Sequence, residues 1–98
     1  MEQKEFALEN QCRLYARSKG WLVWKNEKNG NKGIPDDSLY HPILKRFIFV
    51  EFKKDNKQHL RHEQQIWFNR CADCCFLIAD FDSFKKLIDT STTYIHNY

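Results

Sequence analysis

The stretch that decides the fold is FIFVEFK, from Phe47 to Lys53. A strand that is apolar on both faces belongs in the interior of a sheet. Side chains alternate along a strand at about 3.3 Å per residue, so Glu51 and Lys53 point to the same side, roughly 6.6 Å apart. Opposite charges are costly to carry into a sheet core. The pair is typical of a site that binds a cation and an anion together, such as a divalent metal and a phosphate. A solvated edge or a cross-strand ion pair is the structural alternative.

A second acidic group precedes this strand at a turn. The sequence GIPDD, from Gly33 to Asp37, places acids fourteen to fifteen positions before Glu51. Pro35 biases Ile34 toward an extended conformation, as expected where a turn leads into a strand. The turn acids strengthen the functional interpretation of the charged strand end.

Length and composition favour one domain over residues 1–98, with one modest core. Apolar residues make up 42% and aromatic residues 15%, which argues against disorder. We expect no membrane span and no signal peptide. The net charge of +3 is compatible with nucleic acid. Basic residues gather between positions 25 and 61 and indicate either phosphate contact or a solvated charged face: Lys25, Lys28, Lys32, Lys45, Arg46, Lys53, Lys54, Lys57 and Arg61.

The four cysteines are Cys12, Cys71, Cys74 and Cys75. Without a secretory signal, reduced thiols are expected. Cys71 and Cys74, with His59 and His62 upstream, permit a zinc site. The interpretation we favour is that Cys71 and Cys75 are buried and act as small hydrophobic residues.

Periodicity and turn signals predict an α/β fold of element order αβββαβα. The predicted helices are 4–19, 60–71 and 81–88, and the predicted strands are 21–24, 37–40, 47–53 and 75–79. These elements are expected to form a mixed central sheet flanked by helices. Residues 89–98 are predicted to form a polar tail with a Tyr94–Ile95 apolar patch. Several apolar residues exceed what a core of this size obviously needs, and they either complete the core or form an interface between subunits: Trp21, Trp24, Phe68, Tyr94 and Ile95.

Two polar residues interrupt helical patterns. Gln64 lies in the inward stripe of the second helix with Leu60, Trp67 and Cys71, whereas Gln65 is rotated by about 100° and should be solvated. Gln64 is therefore either a buried amide bonded to backbone or a residue aimed at the strand end. In the first helix, Glu9 flanks the apolar face and is either solvated or directed at a metal.

The chain resembles the VRR-NUC (virus-type replication-repair nuclease) family, a branch of the PD-(D/E)XK nucleases with a restriction-endonuclease-like core. The similarity covers about residues 5 to 88. Five elements in order carry it: Glu9 before Gly20, Lys25, GIPD at 33–36, VEFK at 50–53, and EQ-x-x-W at 63–67. Asp37 departs from the family pattern, which usually has an apolar or basic residue there. We expect Asp36 to be the functional acid and Asp37 to lie on the other strand face.

The resemblance implies a set of site residues. Asp36, Glu51 and the carbonyl of Phe52 would hold Mg²⁺ or Mn²⁺, which prefer hard oxygen ligands. Lys53 would position or deprotonate a water or stabilise negative charge, Gln64 would orient phosphate or water, and Glu9 would act through water. Lys25 would contact the site or the DNA backbone. DNA binding is further assigned to Lys28, Lys32, Lys54 and Lys57.

The implied function is a metal-dependent, structure-specific DNA endonuclease acting on branched DNA such as Holliday junctions. It would work as a homodimer in the cytoplasm of a bacterial or phage-infected host cell. One alternative is a non-catalytic nucleic-acid-binding module of the same fold, although binding alone needs no carboxylates beside phosphate. Another is a zinc-binding interaction domain built on His59, His62, Cys71 and Cys74.

Overall fold

The computed structural model describes residues 2–27, 33–53 and 60–93. Its elements follow the predicted order αβββαβα. The helices are α1 (Glu2–Ser18), α2 (His62–Arg70) and α3 (Phe81–Thr93), and the strands are β1 (Leu22–Lys25), β2 (Asp37–His41), β3 (Arg46–Phe52) and β4 (Cys75–Ile78). In the described part of the chain, no helix is long and apolar enough to cross a membrane.

The strands form a mixed sheet in the order β1-β2-β3-β4. The β1–β2 and β2–β3 pairs are antiparallel, whereas β4 runs parallel to β3. A parallel neighbour needs a crossover, and α2 supplies it. The apolar strand β3 is therefore internal, as predicted.

The core lies between the sheet and the α1–α3 layer. Ile48, Val50 and Phe52 alternate along β3 and are buried on this side. The remaining buried apolar side chains of this cluster are Cys12, Ala16, Trp21, Leu39, Ile78, Phe84 and Ile88. Helices with one apolar stripe bury it against such a sheet face.

The other face of the sheet is only partly covered. Glu51 and Phe49 alternate with the core residues of β3, and α2 covers them, with Trp67 against Phe49 at a ring-centroid distance of 5.5 Å. Further along this face, Trp24 meets Phe47 edge-to-face at 6.0 Å. These two rings are 44% and 40% exposed. Within the described residues, the Glu51 end of this face is therefore covered by α2, and its aromatic end, with Trp24 and Phe47, is open.

Two element boundaries differ from prediction for tertiary reasons. Trp21 precedes β1 and is buried in the core, where its indole N–H donates to Thr92 Oγ1 at 3.1 Å. The predicted polar tail is wrong over 89–93, because α3 continues to Thr93 and Ser91 is buried. The predicted Tyr94–Ile95 apolar patch lies outside the described residues.

The predicted inward stripe of α2 is only partly buried. Gln64 is buried, but Leu60, Trp67 and Cys71 are half-buried. The interpretation of Cys71 as a buried small hydrophobic residue is therefore wrong, whereas Cys75 is buried at the start of β4. Because α2 has only nine residues and lies at the margin of the sheet, the residues at the two ends of its inward stripe are only partly covered.

Candidate active site

The end of β3 and the turn before β2 bring Asp36 and Glu51 together. The Asp36 backbone N–H donates to Glu51 Oε1 at 3.1 Å, and the Phe52 backbone N–H donates to Asp36 Oδ2 at 2.9 Å. Each carboxylate is thus bonded to the backbone of the other segment. Glu51 is only 4% exposed, so its charge is held in a low-dielectric setting.

Gln64 of α2 completes this arrangement. Its Nε2 donates to Glu51 Oε2 at 2.6 Å, and its Oε1 accepts from Lys53 Nζ at 3.2 Å. The same oxygen accepts the Arg61 backbone N–H at 3.0 Å, which satisfies a donor at the helix N-terminus. Gln64 is 2% exposed and Gln65 is exposed, so the predicted helical phase is confirmed.

Lys53 lies beside Glu51 as the strand alternation requires. Its Nζ is 3.6 Å from Glu51 Oε2, and both side chains are largely buried. The Lys53 backbone N–H donates to the Ile78 carbonyl at 2.9 Å, which extends the β3–β4 pairing beyond the strand end. A carboxylate and an ammonium therefore face one place at a fixed separation.

Glu9 reaches the site through an ionic bridge that the sequence did not reveal. Arg13 donates to Glu9 Oε1 at 2.8 Å and to both oxygens of Asp37 at 2.8 and 2.9 Å. Such bidentate pairs fix orientation as well as charge. Asp37 is buried and turned to α1, consistent with the expectation that it lies on the face opposite Asp36.

Glu9 lies close enough to the other acids for their charges to affect the pKa of its carboxyl. Burial raises the pKa of the Glu9 carboxyl, Arg13 opposes this effect, and the carboxylate of Asp36 raises the pKa further. Lys25 lowers it and Asp37 raises it. A cation placed among these carboxylates would relieve the repulsion that disfavours their charged forms.

The turn that carries Asp36 is held by small and polar residues. Gly33 has φ +90°, and a Cβ at this position would lie 2.3 Å from the Glu63 carbonyl oxygen. Glycine thus permits α2 to approach closely. Asn26 accepts from the Ser38 hydroxyl at 2.8 Å and donates its amide to the Pro35 carbonyl at 3.0 Å. Polar turn residues near GIPD were the signal that could have identified Asn26.

The structure brings Glu9, Asp36, Glu51, Lys53 and Gln64 into one connected neighbourhood. Lys25 is exposed on β1, paired in register with Asp37. The other predicted DNA-contacting residues, Lys28, Lys32, Lys54 and Lys57, lie outside the described residues.

Comparison with known proteins identifies the family of this fold. The sequence profile of the VRR-NUC domain matches residues 2–83. The chain belongs to the VRR-NUC family. A solved structure described as a VRR_NUC domain has a TM-score of 0.78 and 27% sequence identity, over 88% of this chain and 95% of that chain. A search of curated proteins finds no significant match.

VRR-NUC domains are nuclease domains, and the family generally uses divalent metals. Membership implies a DNA substrate. The donor set fits a hard divalent cation, because Asp36, Glu51 and the Phe52 carbonyl offer oxygen ligands from adjoining backbone segments. Among the described residues of this neighbourhood, the acids outnumber the bases, with Glu9, Asp36, Asp37 and Glu51 against Arg13, Lys25 and Lys53.

Proposed function

We propose that the protein is a Mg²⁺- or Mn²⁺-dependent endodeoxyribonuclease that hydrolyses phosphodiester bonds in branched DNA such as Holliday junctions. The observation that carries this proposal is the Gln64 side chain, which joins Glu51 and Lys53 beside Asp36. A purely structural ion pair would not need a buried amide holding both charges at one strand end.

In this proposal, Asp36, Glu51 and the Phe52 carbonyl would hold the metal. When bound, a divalent ion polarises the scissile phosphate and lowers the pKa of a coordinated water. Glu51 keeps its orientation because Gln64 and the Asp36 backbone N–H each bind one of its oxygens. Glu9 would act toward the metal through a water, and Arg13 orients its carboxylate.

Lys53 supplies the positive charge. As an ammonium, Lys53 would stabilise negative charge on the phosphate or position the attacking water; as a neutral amine it would instead accept a proton from that water. The contacts at 3.2 Å to Gln64 and 3.6 Å to Glu51 hold it at the site before substrate arrives. Preorganised charge of this kind requires little rearrangement during the reaction.

DNA is bound through phosphates by Lys25, Lys28, Lys32, Lys54 and Lys57. These residues lie in the two segments that flank the GIPD turn and the end of β3. Lysine contacts to phosphate position the duplex but carry no base information. Recognition therefore depends on DNA shape, as cleavage of branched substrates requires.

Resolving a junction needs two coordinated cuts and therefore two sites, so we propose that the enzyme is a homodimer. We propose the cytoplasm of a bacterial or phage-infected host cell as its location. A two-fold dimer presents symmetry-related sites to the symmetric arms of a junction. The open aromatic end of the sheet, with Trp24 and Phe47, offers apolar area for such an interface.

The test is cleavage of branched, flap and linear DNAs in Mg²⁺, in Mn²⁺ and with chelator. Asp36→Asn and Glu51→Gln should abolish cleavage while DNA binding survives or tightens, because less negative charge then faces the phosphates. Asp82→Asn, which removes an exposed acid from α3, is the matched control and should cut normally. Cleavage by Asp36→Asn near the wild-type rate would refute the metal assignment.

The same panel separates the rival function. A non-catalytic DNA-binding module of this fold would bind branched DNA and leave it intact in both metals. Its affinity would also be insensitive to chelator.

A further inference from the structure

We propose that Cys71, Cys74 and Cys75 form a thiolate site for a zinc ion, separate from the carboxylate site. The three Sγ atoms lie within 4.8 Å of one another. Zinc–sulfur bonds of about 2.3 Å in tetrahedral geometry separate ligand sulfurs by about 3.8 Å. Small side-chain rotations therefore bring the thiols to ligand spacing.

The backbone around these thiols is fixed from both sides. Cys71 follows α2, and its N–H donates to the Trp67 carbonyl at 3.0 Å. The Cys74 N–H donates to the Cys71 carbonyl at 3.0 Å, and the Cys74 carbonyl accepts from the Phe49 N–H at 2.6 Å. Cys75 opens β4 and pairs in register with Phe49. Helix end, turn and strand thus present three sulfurs on a hydrogen-bonded frame.

Packing accounts for Cys75, which is buried, but not for Cys71 and Cys74. None of the three belongs to the cluster of buried residues that contains Cys12. Cys71 and Cys74 are half-buried, and only Cys75 is buried. The site is therefore open to an ion from solvent, and a water can fill the fourth position, as in zinc sites with three protein ligands.

The proposed zinc site does not include His62 as a ligand. His62 begins α2 and Cys71 follows its end, nine residues later, or about 13.5 Å along a helix axis. His62 therefore cannot join the thiols, and the zinc-binding domain built on His62 with Cys71 and Cys74 does not fit the structure. His59 lies outside the described residues.

A bound ion would hold the C-terminal end of α2 against the start of β4, whereas Gln64 already holds the N-terminal part of the helix against the end of β3. Gln64 and Cys71 are seven residues apart, almost two helical turns, and so share one face of the helix. Gln64 binds Glu51 near the end of β3, whereas Cys71 lies beside Cys75 at the start of β4. The thiolate site would fix the rotation of α2 and with it the position of Gln64.

The test uses the reduced, metal-free full chain carrying Asp36→Asn and Glu51→Gln, so that the carboxylate pair is absent. Zn²⁺ is titrated in competition with a chromogenic chelator, and Co²⁺ serves as a spectroscopic probe. We expect one equivalent to bind, with thiolate-to-cobalt charge-transfer absorbance. Cys74→Ser should weaken binding by about 100-fold or more, since one of three thiolates is lost. Cys12→Ala is the matched control and should bind normally.

A second measurement does not depend on a variant folding. Zn²⁺ should slow alkylation of Cys71 and Cys74 in the wild-type chain, with the modified residues identified by mass spectrometry. The proposal is overturned if cobalt gives no charge-transfer band, if alkylation is unaffected, or if Cys74→Ser binds as tightly as the control. A disulfide between two of the three cysteines that persists under reductant would also overturn it.

Discussion

Gln64 is the residue that connects the second helix to the strand-end charges. It uses its amide nitrogen for Glu51 and its carbonyl oxygen for both Lys53 and the backbone of Arg61. Glu51 and Lys53 follow from strand alternation, and Gln64 follows from helical period. These short-range rules predicted that Glu51 and Lys53 share one side and that Gln64 points inward, but they left open whether Gln64 is aimed at the strand end, which only the family resemblance implied.

Gln64→Ala should lower the cleavage rate by at least tenfold, on the order of the loss expected when an orienting hydrogen-bond group is removed. Gln65→Ala is the neighbouring control and should be nearly silent, because Gln65 is exposed. Single-turnover cleavage of one junction substrate measures both variants. Equal losses from the two substitutions would show that the amide of Gln64 has no special role.

The role of Arg13 could not be predicted from local sequence patterns. Its bond to Glu9 spans one helical turn, but its bonds to Asp37 join positions 24 apart in the chain. No local period encodes such a pairing. The departure of Asp37 from the family pattern was the available signal, and the structure explains it as the partner of Arg13.

At the scale of elements, sequence patterns predicted the order and type of all seven. The predicted element boundaries were wrong where long-range contacts extend a segment beyond its apolar pattern. α3 continues through a polar stretch because Thr92 accepts from Trp21 and donates to the Ile88 carbonyl. Asp89 in the same stretch accepts the Tyr15 hydroxyl of α1. A single-sequence pattern cannot show these partners.

The Tyr15–Asp89 bond predicts a pH dependence of stability. Hydrogen bonding to Asp89 is the main cause that raises the pKa of Tyr15 from 10.0 to about 12, with desolvation and the Asp89 charge adding to it. Because the folded-state pKa is raised, this stabilisation is fully present below pH 10 and is lost as pH rises toward about 12.

Tyr15→Phe should therefore be less stable than wild type at neutral pH, and the difference should shrink between pH 10 and about 12. Urea unfolding across this range measures it, with tyrosinate absorbance as a direct titration. Tyr40→Phe is the control, and its stability difference should not follow this course. A pH-independent difference for Tyr15→Phe would contradict the assignment.

At the scale of the whole molecule, the open aromatic end of the sheet predicts self-association. Of the apolar residues expected to exceed core needs, Trp21 is in the core, Trp24 is exposed and Phe68 is half-buried. Composition indicated surplus apolar area but could not assign its position, because burial depends on the packing of α1 and α3.

Light scattering on a sizing column at micromolar concentration should give a mass about twice the 11.9 kDa of one chain. Trp24→Glu should shift the protein toward monomer, because a charge in an apolar interface carries a desolvation penalty. Leu14→Glu, at an exposed position on α1, should leave the mass unchanged. If the protein stays monomeric when junction DNA is added, the proposed junction-cleaving homodimer is wrong and a monomeric nicking or flap nuclease is indicated instead.

The parallel pairing of β3 with β4 has a consequence for folding kinetics. β2 and β3 close as a hairpin over a four-residue turn, whereas Phe49 meets Cys75 across 26 positions. Contacts of high sequence separation form late, since chain closure precedes any gain from them. We expect the hairpin to align Asp36 and Glu51 early, and Gln64 to arrive with the slow docking of α2 and β4. A nascent chain would thus carry the acids without the amide that orients them, and would gain competence to cut DNA only on reaching the native state.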